Sequence, residues 1–186
     1  MSTQIEPLLT IADLDAMPDD GNRYEIIEGE LFVSRSPFLT HQRVFKNLFV
    51  WINNCLVQNP IGEVVATPGV IFSEFSAVIP DIVFISNARR EEIASAERIT
   101  GAPDLIIEIV SPGSENERRD RVSKRQLYGK YGVKEYWIVD PQQRTVEIYS
   151  RVGRNLKLRT VMREQDELTT SLLPGFRCRV ADIFQF

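Results

Sequence analysis

The feature that most constrains this 186-residue chain is one glutamate, Glu108, inside the apolar run Leu105-Ile106-Ile107-Glu108-Ile109-Val110. A short run this rich in β-branched residues predicts a strand buried on both faces, near the middle of a sheet. A carboxylate there loses much of its hydration, and even a neutral polar group buried without a partner costs roughly 2–7 kcal/mol. Glu108 therefore calls for a cation, a hydrogen-bond network or a metal beside it. Asp104 projects to the same face, because side chains alternate with period two. Asp81 lies inside a second apolar run, Val78-Ile79-Pro80-Asp81-Ile82-Val83-Phe84-Ile85. Two acid-bearing hydrophobic strands followed by a basic helix point to a metal-dependent phosphodiesterase. The plainer alternative makes the acids structural ion-pair partners, since such networks also perturb buried charges.

Length and composition fit one globular domain spanning residues 1–186, with hydrophobic residues at 43% and charged residues at 26%. No apolar leader follows Met1-Ser2-Thr3-Gln4 and no run is long enough to span a bilayer, so a cytoplasmic protein without membrane contact is expected. Cys55 and Cys178 form neither a metal-ligand spacing nor a disulfide framework, and a single histidine argues against a His/Cys zinc site. The net charge of −4 is unevenly spread. Residues 116–134 carry Arg118, Arg119, Arg121, Lys124, Arg125, Lys130 and Lys134 against Glu117 and Asp120, and residues 151–163 add only bases. A basic face on an acidic protein is a plausible phosphate footprint, with Arg118, Arg119 and Arg121 as its DNA-binding candidates. A solvated helix and an edge hairpin would look the same.

Along the chain, Thr10 caps a short helix ending before Pro18, and Tyr24–Ile27 with Leu31–Val33 form a hairpin through Glu28-Gly29. Glu25, Glu28 and Glu30 alternate with apolar residues and read as solvated, although Glu25 or Glu30 could reach a site. A helix is expected over residues 40–58, with Val44, Leu48, Trp51 and Cys55 on its buried stripe. Strands follow at about residues 63–72 and 79–86, then a polar helical connection over 88–97 and the Glu108 strand. A basic helix over about 115–131 stops at Gly132, and further strands complete the chain, those of 151–186 within the same domain. The class is α/β: a central mixed sheet flanked by helices, with an N-terminal hairpin.

Phosphodiester hydrolysis needs charge neutralisation at phosphate and an activated water. Mg²⁺, for which Mn²⁺ can substitute, supplies both and prefers carboxylate and carbonyl oxygens. Asp81 and Glu108 on neighbouring strands would be the metal ligands, with the Ile109 carbonyl as a possible third oxygen. A lysine beside them would act on the attacking water. The strand position two residues after Glu108 is Val110, so the strand offers none. On the following helix, Asp120, Lys124, Leu127 and Tyr131 share one stripe with Tyr128 at its edge, which turns Lys124 inward, although Val122 breaks the pattern. Lys124 could equally be the i,i+4 partner of Asp120.

Taken in order, the segments Tyr24–Leu31, His41, Pro80-Asp81, Pro103–Pro112, Asp120-x-x-x-Lys124-x-x-x-Tyr128 and Gly132–Pro141 resemble the Uma-type restriction endonucleases of the PD-(D/E)XK nuclease superfamily. The resemblance covers roughly residues 20–150. It implies a restriction-endonuclease-like fold and Mg²⁺-dependent DNA cleavage. By position, Asp81 and Glu108 match the superfamily acids, and Lys124 matches a lysine relocated from strand to helix. His41, Asp104, Asp120 and Tyr128 stand as supporting residues. Asp81 is preferred to Asp104 as the motif acid, because an acid on a separate adjacent strand converges on a metal more easily.

The expected function is thus a Mg²⁺-dependent endodeoxyribonuclease acting on DNA, expected as a homodimer. The alternative is a catalytically inactive nuclease-fold module that binds DNA or protein, which Val110 at the usual lysine position favours. No base-reading motif is visible.

Overall fold

The computed structural model describes residues 7–186; Met1-Ser2-Thr3-Gln4, with its expected lack of a leader, lies outside them. Thr10 closes a capping box with Asp13 at the start of α1 (Ile11–Asp15). The antiparallel strands β1 (Arg23–Ile27) and β2 (Glu30–Ser34) turn at Glu28-Gly29, where both residues have positive φ, 53° and 84°. That is the two-residue turn whose twist matches a hairpin. α2 (Leu39–Gln58) buries Val44, Leu48, Ile52 and Leu56. Its inward stripe keeps strict i,i+4 steps, so Trp51 faces partly outward at 39% exposure, contrary to the expected stripe.

The expected strand at 63–72 is divided in two, and the one at 79–86 begins only at Ile82, after a separate short strand at 76–78. β3 (Gly62–Ala66) and β4 (Val70–Ser73) are separated by Thr67 at φ 46°, and β5 (Ser76–Val78) and β6 (Ile82–Ser86) by Pro80-Asp81. Pro80 has no N–H for a ladder, so the chain leaves one sheet there and enters another. α3 (Asn87–Ile93) and β7 (Ile99–Thr100) lead to β8 (Leu105–Ile109), every residue of which is buried. α4 (Ser114–Arg118) continues through a π-helical segment (Arg119–Lys124) into α5 (Arg125–Tyr131), which stops at Gly132 with φ 104°. β9 (Glu135–Asp140), β10 (Thr145–Val152), β11 (Asn155–Met162), the short β12 (Glu167–Leu168) and β13 (Cys178–Arg179), and α6 (Val180–Ile183) finish the described chain.

The expected central mixed sheet is present, and the N-terminal hairpin belongs to a second sheet beside it. A mixed six-stranded sheet has the order β11-β10-β9-β8-β6-β3, and a five-stranded sheet the order β2-β1-β5-β4-β7. β8 and β9 are parallel, so the helical stretch between them is an obligatory crossover that must lie back over the sheet. One face of β8, through Leu105, Ile107 and Ile109, packs on α2. Ile106 and Val110 on the other face pack with Leu127 and Tyr128 of α5 and with Ile27, Val70 and Val78 of the five-stranded sheet. Glu108 falls on this second face, roofed by α5 and the hairpin. No helix among the described residues is long and apolar enough to cross a membrane.

Candidate active site

Ile82, Val83 and Phe84 of β6 pair antiparallel with Ile107, Ile106 and Leu105 of β8. Continuing that register by one step sets Asp81 opposite Glu108. Asp81 has left the strand at Pro80, and its Oδ2 accepts the Ile109 backbone N–H at 2.8 Å in place of a ladder bond. The same oxygen lies 3.0 Å from His41 Nε2 in the first turn of α2. Burial alone would raise the Asp81 pKa, but His41, the Ile109 N–H and the Lys124 charge hold it below the usual carboxylate range.

Glu108 Oε1 accepts from Lys124 Nζ at 2.9 Å and from the Tyr128 hydroxyl at 2.7 Å. Lys124 is 1% exposed, as its inward periodicity requires. The π-helical segment explains why Val122 breaks the stripe yet Lys124 keeps it. The wider turn leaves Val122 outside at 40% exposure while Asp120 and Lys124 both point in. Asp120 accepts Arg119 Nε at 3.0 Å, and Tyr136 donates to the Asp120 carbonyl.

One member of the cluster, Glu25, follows the less favoured of its two expectations, that it could reach a site. Glu25 is 2% exposed, bridged by Lys124 Nζ at 2.8 Å and by the Ile79 N–H at 2.7 Å, rather than solvated. The signal for it was in the hairpin: Glu25 shares a strand face with Ile27, a core residue, and with Arg23. Apolar neighbours on both sides, Tyr24 and Ile26, hid which face was inward. Glu28 and Glu30 are exposed as expected, Glu28 pairing with Lys130.

The acids Glu25, Asp81, Glu108 and Asp120 line one cavity of about 480 Å³ with Lys124, Arg119 and Arg23. Burial first, then repulsion by Asp81, Asp120 and Glu25, pushes the Glu108 pKa up to about 8 despite Lys124. Asp120 is raised for the same reason, burial outweighing Lys124 and Arg119. Among these acids Lys124 stays protonated: Glu108, Glu25 and Asp120 overcome the burial penalty and raise it above the ordinary lysine range. Four cationic side chains, Arg23, Arg35, Arg119 and Lys124, thus share the cavity with the four acids, but Glu108 is met by Lys124 alone, which it shares with Glu25, and hard oxygen donors face the cavity. That composition fits Mg²⁺ or Mn²⁺ better than a soft metal. Among the described residues, no group of three histidine, cysteine or acidic side chains stands at metal-binding geometry.

The remaining expected residues scatter. Asp104 lies at the opposite end of β8, outside the cavity, where it accepts the Ser86 N–H at 2.7 Å and pairs with Lys134. Of the three arginines, Arg119 turns into the cavity at 12% side-chain exposure. Arg121 is engaged by Asp140 and Glu147, while Arg118 stays exposed. They do not form one face. Arg23, which sequence reasoning missed, reaches the cavity 3.7 Å from Asp81.

The crystal structure of a protein from Anabaena variabilis ATCC 29413, described as a "putative nuclease belonging to DUF820", superposes with a TM-score of 0.76. It covers 95% of this chain and 97% of its own at 21% identity, which establishes a common fold. No curated protein matches the sequence. The family model Uma2, described as "Putative restriction endonuclease", matches residues 11–181. That span includes β1, β6, β8 and the crossover helix, the elements that carry the cluster, and the chain belongs to the Uma2 restriction endonuclease family.

Proposed function

We propose that this protein is a Mg²⁺-dependent endodeoxyribonuclease of the PD-(D/E)XK type, with Asp81, Glu108 and Lys124 as its catalytic residues. The observation that carries the reading is the juxtaposition of Asp81 and Glu108 across β6 and β8 with Lys124 bonded to Glu108 in one cavity. Asp81 and Glu108 would hold the divalent ion, which supplies charge neutralisation at phosphate and a water of lowered pKa. His41 and the Ile109 N–H orient Asp81. Tyr128 fixes the Glu108 carboxylate by donating to it. Lys124, kept charged by Glu25 and Asp120, stabilises negative charge that develops on the attacking oxygen and the phosphate. Arg119 and Arg23 border the cavity as phosphate contacts, and Arg118 offers a contact outside it.

The direct test is plasmid DNA incubated with the protein in Mg²⁺, with Mn²⁺ and EDTA arms and Asp81→Asn as the inactive control. Nicking or linearisation that needs the ion and vanishes in Asp81→Asn is the expected result. DNA binding without cleavage in any divalent ion would instead establish the non-catalytic module, in which Glu25 and Glu108 merely neutralise Lys124.

A further inference from the structure

A second cavity, of about 390 Å³, adjoins the acid cavity and shares Phe38, His41 and Pro112 with it. Its chemistry is different. Among the described residues its lining includes Glu117 and Asp140 but no lysine or arginine, so it offers phosphate no permanent cation. The Asp140 carboxylate is already occupied by Arg121 and by the N–H groups of Gln142 and Gln143. Phe38, Val110, Pro112 and Pro141 supply apolar surface, and Thr40 and Gln142 add neutral polar groups. Val110 stands two residues beyond Glu108 and is 6% exposed, so an apolar side chain there walls this second cavity. Phe38, by contrast, is 66% exposed on the border of both cavities, so its ring is open to a ligand.

We infer that the second cavity receives a nucleobase flanking the cleaved phosphate, with Phe38 as the surface on which it stacks. The inference rests on the nuclease reading above and extends it to the substrate. A phosphate and its flanking base are joined through one sugar. A phosphate at the divalent ion that Asp81 and Glu108 would hold therefore delivers a base to whatever cavity lies next to them. A pocket that offers an aromatic face, aliphatic walls and an amide, with no permanent cation for an anion, suits a base and not the backbone. A base can enter it only when unpaired or rotated out of the duplex. The preferred substrate is consequently single-stranded DNA or DNA with a locally opened pair. Neutral polar groups at the pocket give weak discrimination among bases, because every base has a face to stack.

The experiment compares two labelled single strands of equal phosphate number, oligothymidylate and its abasic counterpart, binding the full chain in Ca²⁺ by fluorescence anisotropy. Oligothymidylate should bind about tenfold tighter than the abasic strand, given the usual worth of one base stacked on an aromatic ring. Phe38→Ala should bring it down to the abasic affinity while leaving that affinity unchanged, and Phe38→Trp should keep the preference. Phe38 is exposed, so neither change threatens the fold. Equal, salt-sensitive binding of both strands would overturn the base pocket and leave the nuclease reading standing. A preference that survives Phe38→Ala would remove Phe38 from the pocket's function. Failure to bind either strand would overturn the base pocket, while the nuclease reading stands or falls separately on plasmid cleavage.

Discussion

Asp104 and Glu108 flank the same buried strand segment, at 2% and 3% exposure, yet the protein treats them in opposite ways. At its N-terminal end, Asp104 accepts the Ser86 N–H and pairs with a single solvent-reaching lysine, Lys134, at 59% side-chain exposure. These partners outweigh burial and hold its pKa below the usual value. At the C-terminal end, Glu108 has a buried lysine and a tyrosine, but it shares that lysine with Glu25 and stands among three other acids. Its pKa rises to about 8. One carboxylate is matched by its surroundings and locks two strands. The other is left short of cation beside a cavity. Local conflict of this kind clusters at functional sites, and the contrast supports the proposed site role for Glu108 rather than Asp104 where burial alone does not distinguish them.

The largest expected difference between the two ends is in catalysis. Lys124→Ala should lower cleavage in Mg²⁺ on the order of 10²–10³-fold, the usual cost of removing one preorganised stabiliser of the transition state. Lys134→Ala, which strips the equivalent cation from Asp104, should leave the cleavage rate within about a factor of two, an ordinary surface-mutation effect. Because Lys124 is enclosed, its loss also leaves acids facing each other. Breaking such a buried pair typically costs about 3–5 kcal/mol, so Lys124→Ala should melt earlier in EDTA and regain stability in Mg²⁺. Equal activities for the two lysine variants would erase the functional side of the comparison.

Next in size is the response to the ion itself. A divalent ion that binds only the native state raises the melting temperature with concentration, by about 2.7 kcal/mol of stability at one hundred times Kd. Asp81→Asn should lose most of that increment and Asp104→Asn should keep it. If Asp104→Asn abolished the increment, the ion would sit at the wrong end of β8 and the roles of the two acids would have to be exchanged.

How much of this was legible beforehand follows from where each signal resides. Glu108, Asp81 and Lys124 were readable because local periodicity governs them: a carboxylate inside an apolar run, and a lysine on a stripe shared with Leu127. The hairpin turn and the stop at Gly132 were readable from turn chemistry, since only certain residues accept positive φ cheaply. Glu25 was not, because its burial depends on a second sheet closing over β8, a non-local fact that an alternating pattern leaves open. The scatter of Arg118, Arg119 and Arg121 was hidden for a related reason. Their directions depend on the π-helical segment, which changes the angle per residue, and on Glu147 arriving from β10. The second sheet went unread because Pro80 and Thr67 break strands that hydropathy alone runs together.

The most gradual effect, spread over several pH units, and the cleanest internal contrast is the pH dependence of stability without metal. The unfolded chain releases the Glu108 proton near 4.5, whereas the folded protein keeps it until about 8. Between those values the folded state holds the extra proton, so stability present below pH 4.5 is lost as pH rises towards 8, by at most about 1.4 kcal/mol per pH unit for one proton. Asp104 has the opposite sign. Its folded pKa lies below 3.8, so its contribution is present above that value and disappears as pH falls through the lowered one. Thermal melts in EDTA from pH 3 to 9 should therefore show two separable flanks. Glu108→Gln, an uncharged mimic of the protonated acid, should flatten the neutral-to-alkaline decline and make the protein more stable than the unmodified chain at the alkaline end. Asp104→Asn should flatten the acid flank and lower stability at neutral pH, by about 1–3 kcal/mol for a broken buried hydrogen-bonded contact. Should Glu108→Gln leave the alkaline slope intact, Glu108 is ionised in the folded protein at neutral pH. The charge shortage that sets the two ends of β8 apart would then be absent.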